Sequence, residues 1–386
     1  PVGVYKDLLA YLVRRLLENG ANSSFVHQIY DMHLSTESLV KSVNVQCLET
    51  ERKQHPKIKL PSEMYGTYRR NSKGNDLSSY NFLKHIQPLI RSYSLKEAPE
   101  VLGADQLIKY LNHADQAQAG WERIGVESRA QIIEKLGDLL DEYRDEFMQI
   151  LCIEARKTIA DCIAEIREAI DFCYYYANQA RQLLGSPMPL PGPTGELNNL
   201  SYHARGVFVC IAPWNFPLAI FIGQAVAALV AGNAVLVKPS HQTPRVGLFA
   251  VELAYKAGIP KDVLQFIHCK GIDVSEHLLP DARVKGVVFT GSTDTAIRIN
   301  QTLASRAGQI IPLIAETGGM NAMIVDSSAL HEQVVTDVIS SAFQSAGQRC
   351  SALRVLFVQE DVADDLLHML SNAMSELEVN DPRNLN

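Results

Sequence analysis

From Gly206 onward, short apolar runs alternate with helical stretches. Val207 to Ala212, Ala234 to Lys238, Val263 to Ile267, Val287 to Thr290 and Ile310 to Ala315 read as strands, and Leu218 to Ala231, Val246 to Ala257 and Thr295 to Ala307 as helices. Strands that are apolar along their whole length must be covered on both faces, and helix-length spacers return the chain to the same end of the sheet. The pattern predicts an α/β fold in which helices flank a parallel sheet. Glycines at 206, 232, 258, 271, 286 and 291 mark the turns. After Met320 a second strand-helix-strand-helix run, with strands at Ala322 to Asp326 and Arg354 to Gln359, opens another α/β unit that is expected to be incomplete at Asn386.

Upstream, Ile132, Leu136, Leu139, Tyr143, Phe147 and Ile150 form one helical stripe, and Ile163, Ile166, Ile170, Tyr174 and Ala177 a second; both are expected in the core. Gly185-Ser186-Pro187 breaks the pattern, and proline-rich Pro189 to Pro193 leads to a polar extended segment around Leu200 to His203. Between Met32 and Pro99 periodicity is weak and Pro56, Pro61, Gly66, Gly74 and Pro88 punctuate polar sequence, as in a linker that packs along a surface. At the start, Leu8, Leu9, Leu12, Leu16 and Leu17 line one side of a helix ended by Gly20-Ala21-Asn22. A lone helix cannot bury that face and expects a partner.

A net charge of −7 among 386 residues gives no basic footprint for nucleic acid or an anionic membrane. No uninterrupted apolar run is long enough to span a bilayer, and Pro1-Val2-Gly3-Val4-Tyr5 carries neither a signal-peptide pattern nor an initiator Met, so the chain is expected to begin inside a larger reading frame. The cysteines at 47, 152, 162, 173, 210, 269 and 350 have no CxxC spacing and no metal-ligand partner, which points to a reducing compartment with neither disulfides nor a metal site. Cys162, Cys173 and Cys210 lie in apolar patterns as small buried hydrophobes.

Cys350 differs. It follows Gly347-Gln348-Arg349, and Glu316-Thr317-Gly318-Gly319 lies upstream, so a nucleophile and a candidate base are present. Three further motifs precede them: Pro213-Trp214-Asn215-Phe216-Pro217 straight after a strand, Lys238-Pro239-Ser240 at a strand end, and Phe289-Thr290-Gly291-Ser292-Thr293 ahead of a helix. Read singly, each has a plainer alternative: Cys350 a structural thiol on a helix from Val334 to Ala352, Trp214 to Pro217 an ordinary loop, Glu316 an exposed or capping carboxylate, Lys238 a solvated strand end, Ser292 an N-cap. No G-x-G-x-x-G follows a strand.

Together and in this order, the motifs resemble the aldehyde dehydrogenase superfamily. With Tyr11 to Val26 resembling the last helix of a proline dehydrogenase barrel, the chain is similar to an internal piece of the bifunctional proline utilization A family. That resemblance implies NAD-dependent oxidation of L-glutamate γ-semialdehyde to L-glutamate, fused in the complete protein to an FAD-dependent proline dehydrogenase. It implies Cys350 as nucleophile, Asn215 with the Cys350 N–H as oxyanion donors, and Glu316 as the base for deacylation. Cofactor binding falls to Ile211, Trp214, Lys238, Ser240, Gly271, Gly291, Ser292 and Gly319. Tyr11, Arg14, Arg15, Glu18 and Phe25 match the proline and flavin site, latent without the barrel. The family commonly has Glu three positions after the lysine, where this chain has His241, so NADP stays open beside NAD.

The implied division is the end of the barrel over 1–31, a linker over 32–99, the NAD-binding domain over 100–317 with an oligomerisation arm near 186–205, and the first part of the catalytic domain over 318–386. The resemblance further implies a cytoplasmic homo-oligomer taking a small aldehyde, no metal and no nucleic-acid contact from this segment, and, for the complete protein, peripheral association with the inner membrane to reduce quinone. Its downstream cofactor contact and substrate-carboxylate anchor would follow Asn386, so little turnover is expected of this segment alone. Two alternatives stay open: a non-catalytic nucleotide-binding or scaffolding module, and an aldehyde dehydrogenase of other specificity.

Overall fold

The computed structural model of the protein describes residues 5–20, 25–42, 44, 45, 48 and 57–384. The chain divides into two units, 1–59 and 60–386. In the first, leucines at helical spacing form α1 (Tyr5–Gly20), followed by α2 (Phe25–Ile29) and α3 (Thr36–Leu39). The apolar side of α1 is open: Leu9, Leu12, Leu16 and Leu17 are 50 to 73% exposed, while the side chain of Leu8 lies outside the described residues.

The second unit begins within the segment expected as a linker. There Ser79 starts α4 (Tyr80–Ser92), which buries Ile86 and Ile90 completely. Phe82, Ile86, Leu89, Ile90 and Tyr93 carry the three-and-four spacing that marks this helix, and Pro88 within it masked the signal. Ser72 is tied to the second helical stripe, its N–H and hydroxyl donating to Asp171 at 2.7 and 2.9 Å.

Next come α5 (Ala104–Arg123), α6 (Val126–Glu142), α7 (Arg144–Glu154) and α8 (Ile159–Leu184). The single stripe expected from Ile132 to Ile150 is shared between α6 and α7, because Tyr143 (φ −95°, ψ 24°) leaves helical geometry. The second stripe is buried along α8 as expected. An exposed antiparallel ribbon follows, β1 (Met188–Leu190) against β2 (Asn198–Leu200).

The core sheet is assembled from β3 (Val207–Ile211), α9 (Ala219–Val230), β4 (Ala234–Lys238), α10 (Pro244–Ala257), β5 (Leu264–Phe266), α11 (Gly271–His277), β6 (Val284–Thr290), α12 (Thr293–Ala304) and β7 (Leu313–Glu316). Its order is β5-β4-β3-β6-β7, with every neighbouring pair parallel, as the apolar strands required. A second, parallel pair joins β8 (Asn321–Val325) to β9 (Leu353–Val358), with α13 (His331–Phe343) between them in sequence and α14 (Glu360–Ser375) after. Val325, Val334, Val338, Leu353, Leu366 and Leu370 form a small core there, while Ile324 and Phe357 remain 82 and 57% exposed.

Buried helix ends explain how α9 is seated. It is apolar on nearly every side, so its first N–H groups meet no water, and the Glu165 carboxylate of α8 accepts from Leu218 N (2.7 Å) and Ala219 N (3.3 Å). Lys157 Nζ lies 3.0 Å from the other carboxylate oxygen, both side chains being almost fully buried. At the far end of α9 the buried Arg129 donates to Val230 O and Glu122 O (2.9 and 2.6 Å), and Trp121 Nε1 donates to Leu229 O (2.7 Å). Removing one partner of a buried ion pair strands the other, so Glu165→Ala should lower the unfolding free energy by about 3–5 kcal/mol in urea titration, and Glu165→Gln by less because its amide oxygen can still accept from α9. A loss for Glu165→Ala below about 1 kcal/mol would show that the pair does not seat this helix.

Candidate active site

The chain leaves β3 towards β4 and β5, but returns to place β6 on the other side of β3. The connections after β3 and β6 therefore part in opposite directions, opening a crevice at the carboxyl ends of these strands. An open cleft of about 630 Å³ lies there. Trp214 and Asn215 reach it from the loop after β3, Ser240 and Gln242 from the loop after β4, and Thr290, Gly291 and Ser292 from the end of β6. Thr317 and Gly318 follow β7, and the turn Gly347 to Cys350 closes the remaining side with Arg354.

That turn is not the helix expected from Val334 to Ala352. Helix α13 stops at Phe343, and the next residues take left-handed backbone angles: Ser345 (φ 57°, ψ 32°), Ala346 (φ 54°, ψ 30°) and Gly347 (φ 67°). For Ser and Ala this costs about 1–2 kcal/mol each. Glycine fits the third position on two counts, because a Cβ there would also lie 2.7 Å from the Ala342 carbonyl oxygen. Cys350 follows in an exposed turn. Asn215 Nδ2 donates to Gln348 O (2.8 Å), which joins the loop after β3 to the cysteine turn. One N–H of that amide is thus engaged and the other is free to meet a ligand. Among the described residues the Cys350 N–H has no acceptor.

Arg349 reaches back to α8, where its guanidinium is 3.2 Å from Asp161 Oδ1 and packs 5.7 Å from the centre of the Phe216 ring. The other described cysteines, at 152, 162, 173, 210 and 269, are all buried. Burial pushes the thiols of Cys152 and Cys269 up to about 11 and that of Cys210 up to about 12. Cys47 lies outside the described residues. Among the described thiols only Cys350 is exposed.

Several expected cofactor residues stand behind the cleft rather than on its wall. Lys238 is 7% exposed, unlike a solvated strand end; its ammonium makes one hydrogen bond, to Pro239 O (3.1 Å), and burial holds its pKa below the ordinary lysine value. Ile211 ends β3 and is in register with Lys238 and Phe289. Gly271 begins α11. Glu316, the expected base, is exposed at the end of β7 and does not line the cleft, although its carbonyl accepts from Gly291 N (3.1 Å) and the next two residues do line it. Gly319 sits just before β8, where a Cβ would approach Asn321 Oδ1 to 3.1 Å. Ser292 does cap α12, its hydroxyl accepting from Thr295 N (3.3 Å).

The cleft also holds residues to which the sequence analysis gave no role: Thr290 and Arg349 within the quoted motifs, the Thr290 hydroxyl accepting from Gln224 Nε2 (2.9 Å); Gln242, which accepts from the Ser240 hydroxyl; and Arg354. Arg354 had a signal in the sequence, a charge within an otherwise apolar strand. His241 is exposed next to Ser240. Among the described residues no carboxylate lines the cleft, hydroxyl and amide donors do, a helix begins at Ser292, and the buried Lys238 ammonium has donors to spare. This donor set fits a dinucleotide, whose pyrophosphate is drawn to a helix N-terminus and to fixed cations.

In the first unit Glu18 lies 3.5 Å from Arg14 Nε and 2.9 Å from an Arg15 nitrogen, with the Arg15 guanidinium 5.3 Å from the centre of the Tyr11 ring. Phe25 opens α2, but its side chain lies outside the described residues. Among the described residues no three His, Cys, Asp or Glu side chains gather to hold a metal ion, and no helix is long and apolar enough to cross a membrane.

The proline dehydrogenase model matches residues 1–28. The chain is 44% identical over 425 aligned positions to the bifunctional protein PutA of Klebsiella aerogenes, covering all of this chain and 31% of that protein. It is 39% identical over 272 positions to the 1-pyrroline-5-carboxylate dehydrogenase of Geobacillus thermodenitrificans, covering 70% of this chain and 53% of the relative. Among solved structures, a variant of Bradyrhizobium japonicum proline utilization A matches with a TM-score of 0.83 at 47% identity, over 100% of this chain and 39% of that one. The Bdellovibrio bacteriovorus protein matches with 0.80 at 30% identity, over 97 and 42%. The chain thus spans about a third of the length of its bifunctional relatives. The aldehyde dehydrogenase family model matches residues 83–386, and with the sheet, the cleft and the cysteine turn all inside that range, this chain belongs to the aldehyde dehydrogenase family.

Proposed function

We propose that the chain is the aldehyde dehydrogenase portion of a bifunctional enzyme of proline catabolism, and that its cleft oxidises L-glutamate γ-semialdehyde to L-glutamate with NAD. The observation that carries this reading is the meeting, at one crevice, of the exposed Cys350, the Asn215 amide and the Ser292 helix end. The named relatives supply the substrate class. Cys350 Sγ attacks the aldehyde carbonyl to give a thiohemiacetal, whose oxyanion is received by the free Asn215 N–H and the Cys350 N–H. A nicotinamide held there would supply the hydride acceptor. Glu316 is assigned as base for the water that releases the acid.

Cofactor recognition is assigned to Ile211, Trp214, Lys238, Ser240, Gly271, Gly291, Ser292 and Gly319. Because His241 presents no carboxylate to a 2′-phosphate, NADP is the second candidate cofactor. We assign 100–317 to the nucleotide-binding domain, 318–386 to the beginning of the catalytic domain, 32–99 to a linker and 1–31 to the end of a proline dehydrogenase barrel. In the complete protein Tyr11, Arg14, Arg15, Glu18 and Phe25 face proline and FAD, the β1–β2 ribbon joins subunits of a homo-oligomer, and the enzyme works in the cytoplasm with peripheral contact to a quinone-bearing membrane.

Calorimetric titration of NAD and of NADP into the purified chain tests the cofactor assignment. Saturable binding is expected, weakened at least about tenfold by Lys238→Ala, whose loss removes a charge-assisted hydrogen bond; binding that is absent, or indifferent to Lys238, overturns it. Burial lowers the Lys238 pKa, so its charge is lost at a lower pH than that of an exposed lysine. Affinity should therefore fall as the pH rises towards 10.5, the ordinary lysine value, and the Lys238→Ala profile should stay flat over the same range.

A further inference from the structure

The backbone around Cys350 is held by side chains from other elements to an unusual degree. Arg354, from β9, donates through one guanidinium nitrogen to Gly347 O (2.8 Å) and Arg349 O (3.3 Å). Asn321, from β8, donates to Cys350 O (2.6 Å) and Ala352 O (3.0 Å), while Asn215 takes Gln348 O. Every carbonyl from Gly347 to Cys350 therefore has a side-chain donor. Immediately before it runs the left-handed stretch Ser345 to Gly347, a conformation that Ser and Ala do not hold unless their surroundings impose it.

We propose that Arg354 is a positioning residue for Cys350, gripping the carbonyls on either side of Gln348 so that the left-handed turn persists and the Cys350 N–H stays aimed with Asn215 at one point in the cleft. Holding the carbonyls fixes the peptide planes, and fixed planes fix where the intervening N–H groups point. β8 and β9 are hydrogen-bonded neighbours, so Asn321 and Arg354 act from one rigid pair. The proposal rests on the reading of Cys350 as the nucleophile.

Two reactions of the same thiol in the purified chain separate positioning from mere presence. In acylation by para-nitrophenyl acetate, Sγ forms a bond to the ester carbonyl carbon, the bond to the aryl oxygen breaks, and nitrophenolate and the thiol proton leave. Its tetrahedral oxyanion needs the aimed N–H groups. In alkylation by iodoacetamide, Sγ simply displaces iodide and needs no oxyanion donor. Arg354→Gln should slow the nitrophenolate burst roughly ten- to a hundredfold while leaving Cys350 alkylation, followed by peptide mass spectrometry, within about twofold.

Arg354→Lys, which can still reach one carbonyl, should recover part of the burst. Asn321→Ala tests the grip from the other strand and should show the same split between the two reactions, so the inference stays testable should Arg354→Gln not fold. A burst unchanged in Arg354→Gln, or both reactions slowed equally in both variants, overturns the inference. Cys350→Ser identifies which claim has failed: if the burst survives that change, the nucleophile assignment falls and this inference with it; if Cys350→Ser removes the burst but neither Arg354 nor Asn321 affects it, only the positioning role falls.

Discussion

Everything at the site depends on the order in which the strands pair. Because β6 joins the sheet beside β3 rather than beside β5, two loops that are distant in sequence open away from each other at the same edge. The crevice between them needs no special residues; it follows from strand order. The Trp214-Asn215 loop is then on one wall and Thr290 to Ser292 on the other. Had β6 added outside β5, Ser292 and Asn215 would lie several strands apart, and neither could share a ligand.

Helix α8 carries much of the remaining organisation through three acidic side chains. Asp161 holds Arg349 beside the cysteine, Glu165 seats the start of α9 beneath the sheet, and Asp171 binds Ser72. These contacts are buried or partly so, where a charged partner with no counterpart is costly, so each both fixes a position and penalises its alternatives. The cysteine turn is in this way anchored on two sides, to α8 through Arg349 and to the β8–β9 pair through Asn321 and Arg354.

The core-sheet strands after Gly206 and the three long helices between them were legible because apolar runs of that length admit few arrangements, and their order gave the parallel sheet; the short α11 was not read. Local signals failed where backbone geometry is set from afar. The turn after Phe343 reads as helix on propensity, since nothing in Gln344-Ser345-Ala346 announces left-handed angles; tertiary bonds to Gly347, Gln348 and Arg349 hold it. Helix α4 was hidden by Pro88, and the break at Tyr143 by a stripe that continues across it. The motif residues Asn215, Ser292 and Cys350 do meet at one cleft, whereas Lys238 is buried and Glu316 is exposed off the cleft wall, distinctions that no spacing encodes.

The β8–β9 pair has a consequence of its own. Two parallel strands bury little by themselves, and among the described residues their outer edges are unpaired while Ile324 and Phe357 face solvent. Bare peptide edges beside exposed isoleucine and phenylalanine form a template onto which other extended chains can add.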